Sequence, residues 1–175
     1  MNNTRKIFVI RHSVYTLLML LFYVGQTVPG LFIFSRIKPL LVIPAAIAVA
    51  MFEGEFVGGL YGAFAGLLCD ATGGTLFGLS GFVIAVCCIF AGMLVIYLVR
   101  CNLFSCMLFV AVALLLRGGI VWVFSWGIWG YENGWKLFAL YTFPAAMIAL
   151  VLSAPVYLLV RRFHDWLAAY EEETR

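Results

Sequence analysis

Six long apolar segments, separated by short polar stretches, restrict this chain to very few folds. They run from about 13 to 34, 39 to 52, 56 to 70, 76 to 99, 103 to 129 and 137 to 160. A helix needs about 20 apolar residues to cross the roughly 30 Å hydrocarbon core of a bilayer. Of the 175 residues, 65% are hydrophobic and only 11% charged, too few polar groups to cover a soluble domain. The sequence therefore predicts an all-α integral membrane protein, a single-domain six-helix bundle with short loops.

The second and third segments are shorter than a full span. At about 14 residues each they measure about 21 Å as helices. They either include flanking residues or form a re-entrant pair, which is tolerated at that depth only where protein buries it. The first segment extends past the length of a signal-peptide core without a small-residue cleavage site, so we expect a retained span.

Basic residues near the span ends predict the orientation. With six spans, both termini share one face, and that face carries Arg5, Lys6, Arg11, Arg100, Arg161 and Arg162. The opposite face carries Arg36, Lys38 and Lys136. The majority places both termini in the cytoplasm. A net charge of only +3 gives no reason to expect a nucleic-acid partner.

Glycine recurs at every fourth position in the stretch GEFVGGLYGAFAGLLCD. The glycines are Gly54, Gly58, Gly62 and Gly66, and the next position in the series is Asp70. Residues four apart lie on one helix face with about 40° of drift per step, so the row predicts a slowly winding groove. In lipid, small residues at this spacing let two backbones approach closely. We expect a neighbouring helix in the groove, either from this chain or from a partner, which includes a homodimer.

Asp70 has two alternative roles. A carboxylate that precedes a helix accepts hydrogen bonds from its first N–H groups, and Asp70 stands before the fourth segment. Alternatively, it pairs with Arg117 of the fifth segment, since an intramembrane arginine needs a partner or a wet cavity. By helical rise the two residues lie about 21 Å and about 22 Å from the same membrane face. The sequence leaves both roles open.

Other residues suggest no catalysis or cofactor. His12 and His164 lack a second metal ligand at i+3 or i+4 and are interpreted as interface anchors. Glu53 and Glu55 flank a turn and are expected to be solvated. Five cysteines form no CxxC pair, which predicts free thiols. With no triad, phosphate loop or acidic cluster, we expect no catalytic, cofactor-binding or metal-binding residues and no enzymatic activity.

One stretch of the chain resembles a known family. The pattern GxxxGxxxGLLxD, followed by glycines and by LFGLSGF, is similar to that of the bacterial rod shape-determining protein MreD. Its residues here are Gly58, Gly62, Gly66, Leu67, Leu68, Asp70, Gly74, Gly78, Leu79 and Gly92. The likeness covers about 39 to 92; elsewhere it rests on length, number of spans and short basic termini.

The resemblance implies a non-enzymatic membrane scaffold of the cell-elongation machinery in the bacterial cytoplasmic membrane. Such a protein binds the single-span protein MreC and, through it, the actin-like MreB, RodA and a penicillin-binding protein. Membrane lipid is a further expected partner. Cys69 and the heavily aromatic fifth segment depart from the family pattern.

The alternative is a vitamin-binding S component of an energy-coupling-factor transporter, a family with a similar six-helix fold. S components carry small residues, often AxxxA, on the first helix, whereas the first segment here contains no alanine. A third class, a proton- or ion-coupled enzyme subunit, would need more intramembrane acids than the one candidate, Asp70.

Overall fold

A computed structural model of the chain describes residues 3–28, 40–73, 77–98, 101–124 and 143–173. All regular structure within these ranges is helical, which confirms the prediction of an all-α protein. The helices are α1 (Asn3–Thr27), α2 (Val42–Glu53), α3 (Glu55–Gly73), α4 (Leu79–Tyr97), α5 (Leu103–Trp122) and α6 (Phe143–Glu173).

Three of the described helices are long and apolar enough to cross a membrane. They are Leu79–Tyr97 in α4, Leu103–Trp122 in α5 and Phe143–Leu167 in α6. This finding is consistent with a membrane protein. It supports fewer spans than the six expected, since the other three described helices are shorter or less apolar.

The short helix α2 lies at the centre of the bundle. Every residue from Val42 to Met51 is buried, and α2 contacts each of the other five described helices. A helix that is apolar on all sides is typical of a core position. Its 12 residues rise only about 18 Å, which suffices because protein, rather than lipid, surrounds it.

The ends of two helices differ from the predicted segments. Helix α1 begins at Asn3, well before the predicted start at 13, so the basic amino-terminal residues are helical. Helix α6 continues past the predicted end at 160, through Arg161 and Arg162, to Glu173. Its 31 residues rise about 46 Å, more than a bilayer core. Charged side chains mark the edge of an apolar segment, and the helix does not have to end there.

A one-residue turn reverses the chain between α2 and α3. Gly54 occupies it with a φ of 89°, a left-handed value that side chains disfavour, and its N–H donates to the Ala50 carbonyl at 3.1 Å. The two helices therefore form a tight hairpin. The predicted outer-face residues Arg36, Lys38 and Lys136 lie outside the described residues.

Candidate functional site

The glycine row of α3 lies against two different neighbours. A Cβ atom on Gly58 would stand 2.6 Å from the Cα atom of Ala50 in α2. A Cβ atom on Gly62 would stand 2.8 Å from the Cys88 sulfur and 3.0 Å from the Ala85 Cα atom, both in α4. The predicted drift around the helix thus turns the row from α2 towards α4.

The closest approach is at Gly66. A Cβ atom there would overlap the backbone of Gly81 and the carbonyl oxygen of Ser80 in α4. Gly92 makes the reciprocal contact at the other end of α4, where a Cβ atom would lie 2.7 Å from the Glu55 nitrogen of α3. Glycines on both helices therefore bring α3 and α4 into backbone contact along their length.

One feature of the predicted groove needs correction, and one open alternative is decided. Gly54 is not part of the helix, because it forms the turn before α3. The groove at Gly58, Gly62 and Gly66 holds neighbours from this chain, so the internal alternative is the one the structure contains. A partner helix does not have that space to occupy.

Asp70 lies buried at the far end of α3 and caps α4. Its Oδ2 atom accepts hydrogen bonds from the backbone N–H groups of Gly78 at 2.9 Å and Ser80 at 3.0 Å. Gly78, the residue before α4, has a φ of 94°, which explains glycine at that position. The carboxylate satisfies N–H groups that a helix start leaves without partners. Gly74 lies outside the described residues.

Among the described residues, Ser80 links Arg117 to Asp70. The Arg117 Nε atom donates to the Ser80 hydroxyl at 3.0 Å, while the Ser80 N–H donates to Asp70. Among the salt bridges of the described residues, none joins Asp70 and Arg117 directly. The equal depths predicted for the two residues agree with this arrangement. The second predicted alternative, a direct ion pair between these two described residues, is not formed.

Gln26 of α1 adds a second cap that the sequence did not reveal. Its buried side-chain oxygen accepts hydrogen bonds from the backbone N–H groups of Leu41 at 3.0 Å and Val42 at 3.5 Å, at the start of α2. A glutamine inside an otherwise apolar segment was the available signal, because a buried amide requires a partner.

At the opposite end of α2, a charged cluster joins three helices. Two nitrogens of Arg11 in α1 lie 2.6 Å from Glu53 Oε1, at the end of α2, and the Tyr15 hydroxyl donates to the same oxygen at 2.9 Å. Only 8% of the Glu53 side chain is exposed. The expectation that Glu53 is solvated is therefore wrong. The comparison of depths that related Asp70 to Arg117 could also have predicted the Arg11–Glu53 pair from the sequence.

His164 brings α6 to this cluster. Its ring stacks on Phe52 at 4.9 Å between centroids, and its Nε2 atom lies 3.4 Å from an Arg11 nitrogen. The interpretation as an interface anchor gives way to a packing role between α2 and α6. Among the described residues, no group of three or more His, Cys, Asp or Glu side chains is placed to hold a metal ion.

Comparison of the chain with protein-family models, curated proteins and solved structures finds no match. Function therefore has to be argued from the residues themselves. Their arrangement can stabilise helix starts and hold helices together, since each polar contact above joins two elements of the bundle.

Proposed function

We propose that this chain is a non-enzymatic membrane scaffold of the MreD type. In this proposal it binds an MreC-like single-span protein in the bacterial cytoplasmic membrane, and through that partner it links MreB to RodA and a penicillin-binding protein. Its contribution is positional: it offers a rigid surface on which the cell-elongation proteins assemble.

The proposal is supported by the structural roles of the residues that carry the resemblance. Gly58, Gly62 and Gly66 let α2 and α4 pack against α3. At Gly92, the backbone of α4 contacts the start of α3. Asp70 and Gly78 join the end of α3 to the start of α4. The pattern is thus an architectural one, whose chemistry is close packing and helix capping. We therefore expect a family with this pattern to act by holding partner proteins in position.

The same packing argues against the carrier alternative. A carrier needs an internal cavity that encloses its solute, with a few polar groups placed to fix the orientation of that solute. In the described bundle, the buried residues Val42 to Met51 of α2 fill the centre, and the buried side chains of Gln26, Asp70 and Ser80 are bonded to helix starts or to a neighbouring helix.

Depletion of the protein from a rod-shaped host tests the proposal. We expect depleted cells to become round and wild-type protein to restore rods. Gly119→Ala should also restore them, because a Cβ atom there meets nothing within 4 Å. Purification from these cells should yield a single-span protein in fixed ratio. Cells that remain rods while uptake of a vitamin fails would instead support the carrier.

A further inference from the structure

A groove between α1 and α3 remains outside the packed core. It has a cavity volume of about 570 Å³, within the roughly 300–1,000 Å³ of sites that hold small ligands. One wall is the apolar row Phe56, Leu60 and Phe64 of α3, and the other includes His12 and Thr16 of α1. Because each row repeats every four residues, both run along their helix axes.

The two hydroxyl groups of the groove bond to the same backbone carbonyl. The Tyr61 hydroxyl donates to the His12 carbonyl at 3.0 Å, and the Thr16 hydroxyl donates to the same oxygen at 2.8 Å. The surface offered to a ligand is therefore largely apolar. Phe56 and Leu60 are 78% and 61% exposed, so the groove opens sideways, towards the hydrocarbon of a bilayer.

Charge distinguishes one end of the groove. Helix α1 contains no acidic residue, and Arg5 and Lys6 near its start are basic; its third basic residue, Arg11, is paired with Glu53. Arg5 precedes His12 by seven residues, or about two turns, so the two positions share a face of the helix. The basic turns therefore continue the line of the groove towards the membrane surface. A basic segment at that level attracts anionic lipid headgroups, at about 1 kcal/mol per residue.

We propose that this groove binds one anionic phospholipid from the leaflet at the amino-terminal end of α1. One acyl chain lies along Phe56, Leu60 and Phe64, and the headgroup phosphate meets the basic turns of α1. Lipid acyl chains fill an apolar groove that opens into the bilayer interior. The positive charge of α1 favours an anionic headgroup over a neutral one. The bound lipid completes the surface between these two helices, whose contacts include those of Tyr61 with His12 and Thr16.

Native mass spectrometry of the full chain tests this site. The protein is reconstituted into bilayers of phosphatidylglycerol and phosphatidylcholine with matched chains, then released from them. We expect one retained phosphatidylglycerol per chain. Leu60→Trp should abolish this retention by filling the groove, whereas Leu108→Trp, at an exposed apolar position of α5, should leave it unchanged. Arg5→Gln and Lys6→Gln should each weaken it about fivefold.

Equal retention of the two lipids, or equal retention by wild type and Leu60→Trp, would overturn the proposal. Photo-crosslinking from a diazirine analogue of leucine at position 60 gives a second readout that does not depend on the tryptophan variant folding. A phospholipid adduct supports the site. An adduct with another polypeptide would instead show that a partner helix occupies the groove.

Discussion

Gly81 of α4 lies so close to Gly66 of α3 that no side chain fits between the two helices. In a bilayer, no hydrophobic force draws helices together, so association depends on van der Waals contact and on polar bonds between helices. Both are present here: glycines provide the contact, and Asp70 provides the bond at the adjacent end of α4. The α3–α4 pair is the most closely packed part of the described fold.

Replacement of Asp70 separates the capping role from a charge-pairing role. Asp70→Ala leaves two N–H groups at the start of α4 without their acceptor, and we expect a loss of about 1–3 kcal/mol. Asp70→Asn keeps an acceptor oxygen, so it should cost less than about 1 kcal/mol. Chemical unfolding in detergent micelles measures both. Equal losses would show that the charge itself matters more than the cap.

Exchanging the charges of Asp70 and Arg117 tests directly whether the two residues form an ion pair. The double variant Asp70→Arg with Arg117→Asp would keep opposite charges at the two positions, and it would restore stability if they formed a direct ion pair. In this structure it should not recover stability, since the N–H groups of Gly78 and Ser80 would face a guanidinium that accepts no hydrogen bond. The double variant should therefore unfold at least as easily as Asp70→Arg alone. Recovery to wild-type stability would restore the direct-pair hypothesis.

The Arg11–Glu53 pair is expected to contribute more than a surface pair. Glu53→Gln leaves Arg11 beside a neutral amide, and we expect a loss of about 3 kcal/mol, the lower end for a buried pair, because 28% of the Arg11 side chain is exposed. The matched control is Asp165→Asn, which removes an exposed pair with Arg161 at 3.9 Å and should cost less than about 1 kcal/mol.

Hydrogen exchange at the carboxyl-terminal turns of α6 provides an independent readout for the Glu53 variant. Since Arg11 also contacts His164, loss of Glu53 should increase exchange there. Unchanged exchange together with unchanged stability would mean that the cluster does not hold α6.

Cys101, in the connection between α4 and α5, should react slowly with maleimide. Its thiol donates to the Met51 carbonyl at 3.2 Å, and burial raises its pKa while nearby Arg161 acts in the opposite direction. Only the thiolate reacts, so a raised pKa lowers reactivity at neutral pH. With the other cysteines replaced, the labelling rate should still increase above pH 9. A cysteine at the exposed neighbouring position, Asn102→Cys, should level off near the ordinary thiol pKa of about 8.5. Identical pH profiles would contradict the partly buried environment of Cys101.

The sequence predicted what depends on period and composition. Apolar segments indicated the helices, and four-residue spacing indicated close packing at Gly58, Gly62 and Gly66. What it could not predict was which neighbour each glycine meets, because the drift around α3 passes from α2 to α4 and depends on how the hairpin at Gly54 closes.

Polar contacts were predicted less well, for a related reason. The position of Asp70 before α4, a local signal, made the capping role one of its two predicted alternatives. Glu53 also stands at a helix end, yet its partner Arg11 is 42 residues away along the chain. Such a contact follows from the arrangement of helices around α2, which no local pattern in α1 or α2 contains.

The packing of α3 on α4 is tested most directly by the unfolding free energies of two alanine variants. At Gly66 the new methyl group would overlap the α4 backbone, and overpacking of this kind costs about 1–3 kcal/mol. At Gly119 it meets nothing within 4 Å, and alanine should stabilise the helix by about 0.5–1 kcal/mol. We expect Gly66→Ala to be less stable than wild type and Gly119→Ala to be as stable or more stable. Equal stability of the two variants would contradict it.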